Sequence, residues 1–136
     1  MPTWIVDGEL AISPRPGYQP GAEYRVPRPV IDAWVNDMRE AGIASIICLL
    51  ADDQLPLYER SLPDGLLSYY AILGFEVAHV PTPDGLREPF TPEQLEAAWE
   101  AYQRLPKPVL VHCSAGFDRT GRVVRHIEGR LDGADG

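Results

Sequence analysis

The residues most suited to chemistry lie together in Val109-Leu110-Val111-His112-Cys113-Ser114-Ala115-Gly116-Phe117-Asp118-Arg119-Thr120-Gly121. A short apolar run leads into a loop of small residues, and the loop leads into a helix start. Five residues separate Cys113 from Arg119. With that spacing the backbone N–H groups of Ser114, Ala115, Gly116, Phe117 and Asp118 can converge on an anion at a helix N-terminus, with a thiol at the centre. Arg119 closes the ring as a planar, bidentate donor to phosphate-type oxygens. A cysteine in such a field is expected to ionise readily, since activated thiols have pKa values of about 3.5 to 7.5. A thiolate within an oxyanion cradle points to nucleophilic attack on phosphorus.

His112-Cys113-Ser114-Ala115-Gly116-Phe117-Asp118-Arg119-Thr120-Gly121 resembles the signature loop of the cysteine-dependent protein tyrosine and dual-specificity phosphatases, His-Cys-x-x-Gly-x-x-Arg-Thr/Ser-Gly, with every defining position filled. Other readings of the same residues fail on particular positions. Gly116 to Gly121 has the glycine frame of a nucleotide-binding Walker loop, but Arg122 and Val123 follow where Lys and Ser/Thr are required. A buried structural cysteine at the end of a core strand leaves the Gly, Arg and Thr spacing unexplained. A rhodanese-like sulfurtransferase does not account for the Arg-Thr-Gly ending.

The elements that must position this loop can be followed along the chain. Trp4-Ile5-Val6 and Leu10-Ala11-Ile12-Ser13 flank Asp7-Gly8-Glu9, a hairpin signal. Residues 14–29 are rich in Pro and Gly and form a long irregular connection, in which Arg15 and Arg25 are expected to be solvated surface charges. A helix begins at Pro29, with Val30, Ile31, Trp34, Val35 and Met38 on one face and Gly42 as its stop. Ile43 to Leu50 is a near-continuous apolar run, as a strand buried on both faces requires; Cys48 sits in it as a core residue. Asp52 to Arg60 and Asp64 to Leu73 are expected to be two short helices, broken at Leu62-Pro63. Phe75 to Val80 is a strand carrying His79. Thr91-Pro92-Glu93-Gln94 is a capping box that opens a helix striped with Leu95, Ala98, Trp99, Tyr102 and Leu105. Pro106-Lys107-Pro108 ends that helix and starts the strand Val109 to Val111. Strands alternating with helices predict an α/β fold: a central, mainly parallel, twisted sheet flanked by helices, with the phosphate-binding loop between the last strand and the following helix. Active sites of such sheets lie beyond the C-terminal ends of the strands, where the loops after Val80 and Val111 both fall.

Composition bounds the function. A chain of 136 residues predicts a single compact domain over 1–136. The net charge of −8 argues against nucleic acid or an acidic membrane as the main partner. No apolar run approaches the roughly 20 residues of a membrane span, and two cysteines make no disulfide framework. A cytoplasmic location is the default expectation. No Cys/His spacing suggests a metal.

The resemblance implies roles for particular residues. Cys113 is the nucleophile and Arg119 the phosphate ligand; Thr120 matches the hydroxyl residue that stabilises the cysteine as a leaving group. His112 shapes the loop and helps to depress the thiol pKa, and neither metal nor cofactor is required. The leaving group needs a proton. Asp84, on the rigid loop from Pro81 to Pro89, occupies a place similar to that of the general acid in dual-specificity phosphatases. Asp118 competes with it, because Gly116-Phe117-Asp118-Arg119-Thr120 also resembles the loops of myotubularin-like and some bacterial phosphatases. The expected substrate is a phosphorylated protein, phosphotyrosine first and phosphoserine or phosphothreonine second. Phosphoinositides are disfavoured by Phe117 and Asp118, which stand where phosphoinositide phosphatases often carry lysines, and small phosphoesters stay open. A phosphate-binding pseudophosphatase is the reading from a different class. After Gly121 one short amphipathic helix (Val123, Val124, Ile127) is expected, frayed from Leu131 to Gly136. Such a short ending leaves apolar surface for a homodimer.

Overall fold

The computed structural model describes residues 2–20, 24–81, 91–114 and 118–135, with the backbone alone for 118, 134 and 135. Five strands form one sheet: β1 (Thr3–Val6), β2 (Leu10–Ser13), β3 (Ser45–Cys48), β4 (Glu76–His79) and β5 (Val109–His112). Their order across the sheet is β1-β2-β5-β3-β4. β1 pairs antiparallel with β2 through the hairpin, where Gly8 takes the positive φ of 74° that the tight turn requires. The remaining pairings, β2 with β5, β5 with β3 and β3 with β4, are all parallel. The α/β architecture expected from the alternating pattern is the one observed.

Four α-helices among the described residues cover the sheet: α1 (Arg28–Glu40), α2 (Leu66–Ile72), α3 (Pro92–Arg104) and α4 (Asp118–Asp135). Alternation along the strands splits the interior into two layers. Ala11, Ile46, Cys48, Leu50 and Leu110 face α1, α2 and Tyr58 on one side. Leu10, Ile47, Leu49, Val109, Val111 and Cys113 face Ala98, Trp99 and Tyr102 of α3 and Val123, Val124 and Ile127 of α4 on the other. β3 and β5 are buried at every position, which explains their largely apolar sequences. The capping box of α3 is formed in full: Gln94 N donates to Thr91 Oγ1 at 3.1 Å, and Thr91 N donates to Gln94 Oε1 at 2.9 Å.

Two segments depart from the expected pattern. Residues 52–60 hold only the short 3₁₀ turn Leu55–Tyr58. Pro56 cannot donate a backbone hydrogen bond, and Pro63 lies too close for a full helix to develop. At the other end, α4 runs to Asp135 and has 18 residues, where a short frayed helix was expected. Leu131 packs against the α3/α4 core, and Arg130 donates to Glu96 of α3 at 2.6 Å, so tertiary contacts outweigh the low helix propensity of Gly129 and Gly133. Val123, Val124 and Ile127 are buried. The large exposed apolar side chains among the described residues are Val30 and Ile72, neither of them on α4. No helix among the described residues is long and apolar enough to cross a membrane.

Candidate active site

β5 is the middle strand, paired along its full length with β2 on one side and β3 on the other. The signature segment therefore leaves the sheet at its best-supported point, beyond the C-terminal ends of parallel strands. Cys113 follows the last residue of β5 and is 2% exposed. Arg119 and Thr120 lie in the first turn of α4 and are also buried. Asp118 is the first residue of that helix. The structure thus brings together His112, Cys113, Ser114, Arg119 and Thr120. Ala115, Gly116, Phe117 and Asp84, the other residues singled out in the sequence, lie outside the described residues.

Arg119 is held from the loop after β3. Its Nη1 and Nη2 each donate to Gln54 Oε1 at 3.3 Å, and Nη1 reaches the carbonyl oxygen of Leu49 at 3.5 Å. Gln54 is itself buried, and its Oε1 also lies 3.4 Å from the backbone N of Ala51. The amide fixes the guanidinium without neutralising it. A carboxylate in that place would offset part of the positive charge meant for an incoming anion.

His112 is fully buried between Trp34 and Tyr70, edge-on to both rings at centroid distances of 5.5 and 5.9 Å. Its Nδ1 lies 3.1 Å from the carbonyl oxygen of Cys113. A carbonyl only accepts, so Nδ1 carries the proton and Nε2 accepts from Tyr70 Oη at 3.0 Å. Burial, helped by the charges of Arg15 and Arg119 and opposed by the bond to Cys113, pushes the His112 pKa down to about 4. His112 is therefore neutral at physiological pH. It contributes a hydrogen bond that orients the Cys113 peptide, and it supplies no positive charge to the thiol.

Arg15 corrects an expectation. It is 1% exposed rather than solvated, while Arg25 is exposed as expected. Backbone N of Arg15 donates to Ser114 O at 2.9 Å, Nε donates to Ser114 Oγ at 3.2 Å, and Nη1 donates to Tyr58 Oη at 3.0 Å. Its guanidinium carbon lies 5.9 Å from the ring centroids of both Tyr18 and Tyr58. Tyr58 Oη donates to Pro16 O at 2.7 Å, and Trp34 Nε1 donates to Ser13 Oγ and to Pro14 O. The Pro-rich segment after β2 is thus fastened beside the signature loop. Burial raises the Tyr58 pKa to about 12, so it stays a donor.

Thr120 Oγ1 is buried with no hydrogen-bond partner among the described residues. A buried hydroxyl in that state costs on the order of 1–3 kcal/mol and is available to a ligand or a covalent intermediate. Cys48 is buried in the α1/α2 layer, and desolvation pushes its thiol up to about 12, so it stays protonated. Among the described residues no group of three or more His, Cys, Asp or Glu could hold a metal.

Gln54, Tyr58 and Tyr70 were not singled out for the site in the sequence. The signal for Gln54 was its position just beyond the C-terminal end of β3, the same rule that marked the loops after Val80 and Val111.

No family model matches the chain, and no curated protein matches it. Solved structures do. A mutant form of Tk-PTP is 27% identical, with a TM-score of 0.67, over 97% of this chain and 73% of that one. The active form of Tk-PTP is 29% identical, with a TM-score of 0.59, over 90% of this chain and 67% of that one. Kinase-associated phosphatase, with its catalytic-site cysteine replaced by serine, is 21% identical, with a TM-score of 0.68, over 90% of this chain and 65% of that one.

Proposed function

We propose that this chain, which is similar in structure to protein tyrosine and dual-specificity phosphatases, is a cysteine-dependent phosphatase of that family and hydrolyses phosphomonoesters through a phosphocysteine intermediate. The observation that carries this reading is the convergence of Cys113, at the end of the central strand, with Arg119, buried in the first turn of α4 and held by a neutral amide. A nucleophile and a guanidinium fixed by the Gln54 amide, on either side of a five-residue loop, suit a phosphate dianion.

In the first step the Cys113 thiolate attacks phosphorus, the S–P bond forms and the ester P–O bond breaks. Asp84 gives its proton to the departing oxygen. Arg119 binds the phosphoryl oxygens and gains most as charge spreads over them in the transition state. In the second step water attacks phosphorus, its proton passes to the Asp84 carboxylate, and the S–P bond breaks to release phosphate. The Thr120 hydroxyl, which has no partner among the described residues, donates to the sulfur as it becomes a thiolate again. Phosphotyrosine is the preferred substrate, with phosphoserine and phosphothreonine accepted in a shallow cleft.

Hydrolysis of para-nitrophenyl phosphate by the wild type, and its loss in Cys113→Ser, is the first test. Equal rates for the two proteins, or no turnover by a folded wild type, would refute the enzyme reading in favour of a phosphate-binding module. A phosphopeptide panel then ranks the substrates.

A further inference from the structure

Arg15 presents a physical problem. A cation is costly to bury unless its charge is answered, yet among the described residues no carboxylate pairs with Arg15, and its partners are two hydroxyls and two aromatic faces. Tyr58 is an uncharged phenol. Each neutral partner holds the guanidinium in place, and none cancels its charge.

We propose that Arg15 is a positioning residue of the signature loop, holding Ser114 in register and setting a second fixed positive charge beside Cys113, whose counter-charge is the thiolate and then the phosphate. The inference rests on the reading of Cys113 as the nucleophile. Two contacts to one residue, backbone to backbone at 2.9 Å and Nε to Oγ at 3.2 Å, restrain the peptide that directly follows the cysteine. The fork is fixed in turn by Tyr58, and Tyr58 also fastens Pro16, so the cation is preorganised before any anion arrives. Its field is felt at His112, the residue before Cys113, whose protonation it opposes. Among the described residues the titratable groups packed around the site are His112 on β5, Cys48 on β3, Tyr58 on the 3₁₀ turn, Tyr70 on α2, His79 on β4 and Tyr18 after β2. The first four are held in their neutral forms. Arg15 and Arg119 are the buried cations beside these neutral groups.

The test reads the thiol directly. The rate of Cys113 alkylation by iodoacetamide, a neutral reagent, is followed against pH by peptide mass for the wild type, Arg15→Met, Arg15→Lys and Ser114→Ala, beside kcat/KM on para-nitrophenyl phosphate. Arg15→Met is expected to raise the alkylation midpoint by about one pH unit, the size of a charge interaction across a few ångströms of partly shielded protein. Arg15→Lys keeps the charge and loses the fork, so its midpoint stays near that of the wild type while kcat/KM falls about tenfold; Ser114→Ala falls similarly. A folded Arg15→Met with the wild-type midpoint overturns the proposal. If Arg15→Met does not fold, Arg15→Lys decides, and wild-type kcat/KM in that variant overturns it. Absence of turnover in the wild type would instead remove the phosphatase reading, and the alkylation midpoint would still report on Arg15.

Discussion

Replacing Gln54 with alanine isolates what the loop after β3 does for the phosphate ligand. The substitution removes the oxygen that accepts from both Nη1 and Nη2 of Arg119 and leaves the longer contact to Leu49 O. Hydrogen bonds to a charged group contribute about 1.5–3 kcal/mol when well formed. Both contacts here are 3.3 Å, long for charge-assisted bonds, so a combined loss of about 1–2 kcal/mol is the reasonable figure. In the proposed mechanism Arg119 gains contacts as the transition state forms, so the loss should appear in kcat/KM as a fall of roughly 5- to 30-fold. The assay is steady-state hydrolysis of para-nitrophenyl phosphate, with a thermal melt to show that the variant is folded. Gln54→Glu is the informative companion: it retains an acceptor but partly neutralises Arg119, and so should raise KM for a phosphate dianion. Wild-type kcat/KM in a folded Gln54→Ala would show that Arg119 is positioned without Gln54, and the argument from the neutral amide would fail.

Two further outcomes are expected. His112 has a folded pKa of about 4 against an ordinary value of 6.5, so the unfolded chain binds the proton first as pH falls. Its contribution to stability is therefore intact above about pH 6.5 and is lost between there and pH 4, a change of ~3 kcal/mol at most. Urea midpoints at pH 7 and pH 5 should differ in the wild type and converge in His112→Gln, and an unchanged pH dependence in that variant would assign the effect elsewhere. If Asp84 is the proton donor, Asp84→Asn should slow an alkyl phosphate far more than a nitrophenyl ester, whose leaving group needs no proton; the same pattern in Asp118→Asn, with Asp84→Asn lacking it, would move the role to the loop.

What could be read from the sequence was what short-range physics determines. The hairpin around Gly8, the capping box at Thr91 and the two fully buried strands depend on neighbouring residues, and each formed as expected. The signature loop was legible for the same reason, since its parts lie within one stretch of chain. The supporting residues were not. Arg15 reaches Ser114 across 99 positions, Gln54 reaches Arg119 across 65, and Arg15 reaches Tyr58 across 43. No local pattern distinguishes such an arginine from a solvated one; only the fold that closes over it does. The length of α4 was misjudged on similar grounds. Gly129 and Gly133 argue against helix locally, and the decisive contacts of Arg130 and Leu131 come from α3 and the core.

The central place of β5 has a consequence for motion. A strand paired on both flanks and buried on both faces can exchange its amide protons with solvent only when the whole sheet comes apart. Cys113, the proposed nucleophile, is thus tethered to the slowest-breathing part of the molecule, and in the proposed reaction the adjustments that admit a substrate and release phosphate fall to the surrounding segments. Hydrogen exchange in this chain should rank Val109–His112 among the last amides to yield, with the residues that hold Arg15 and Arg119 yielding sooner.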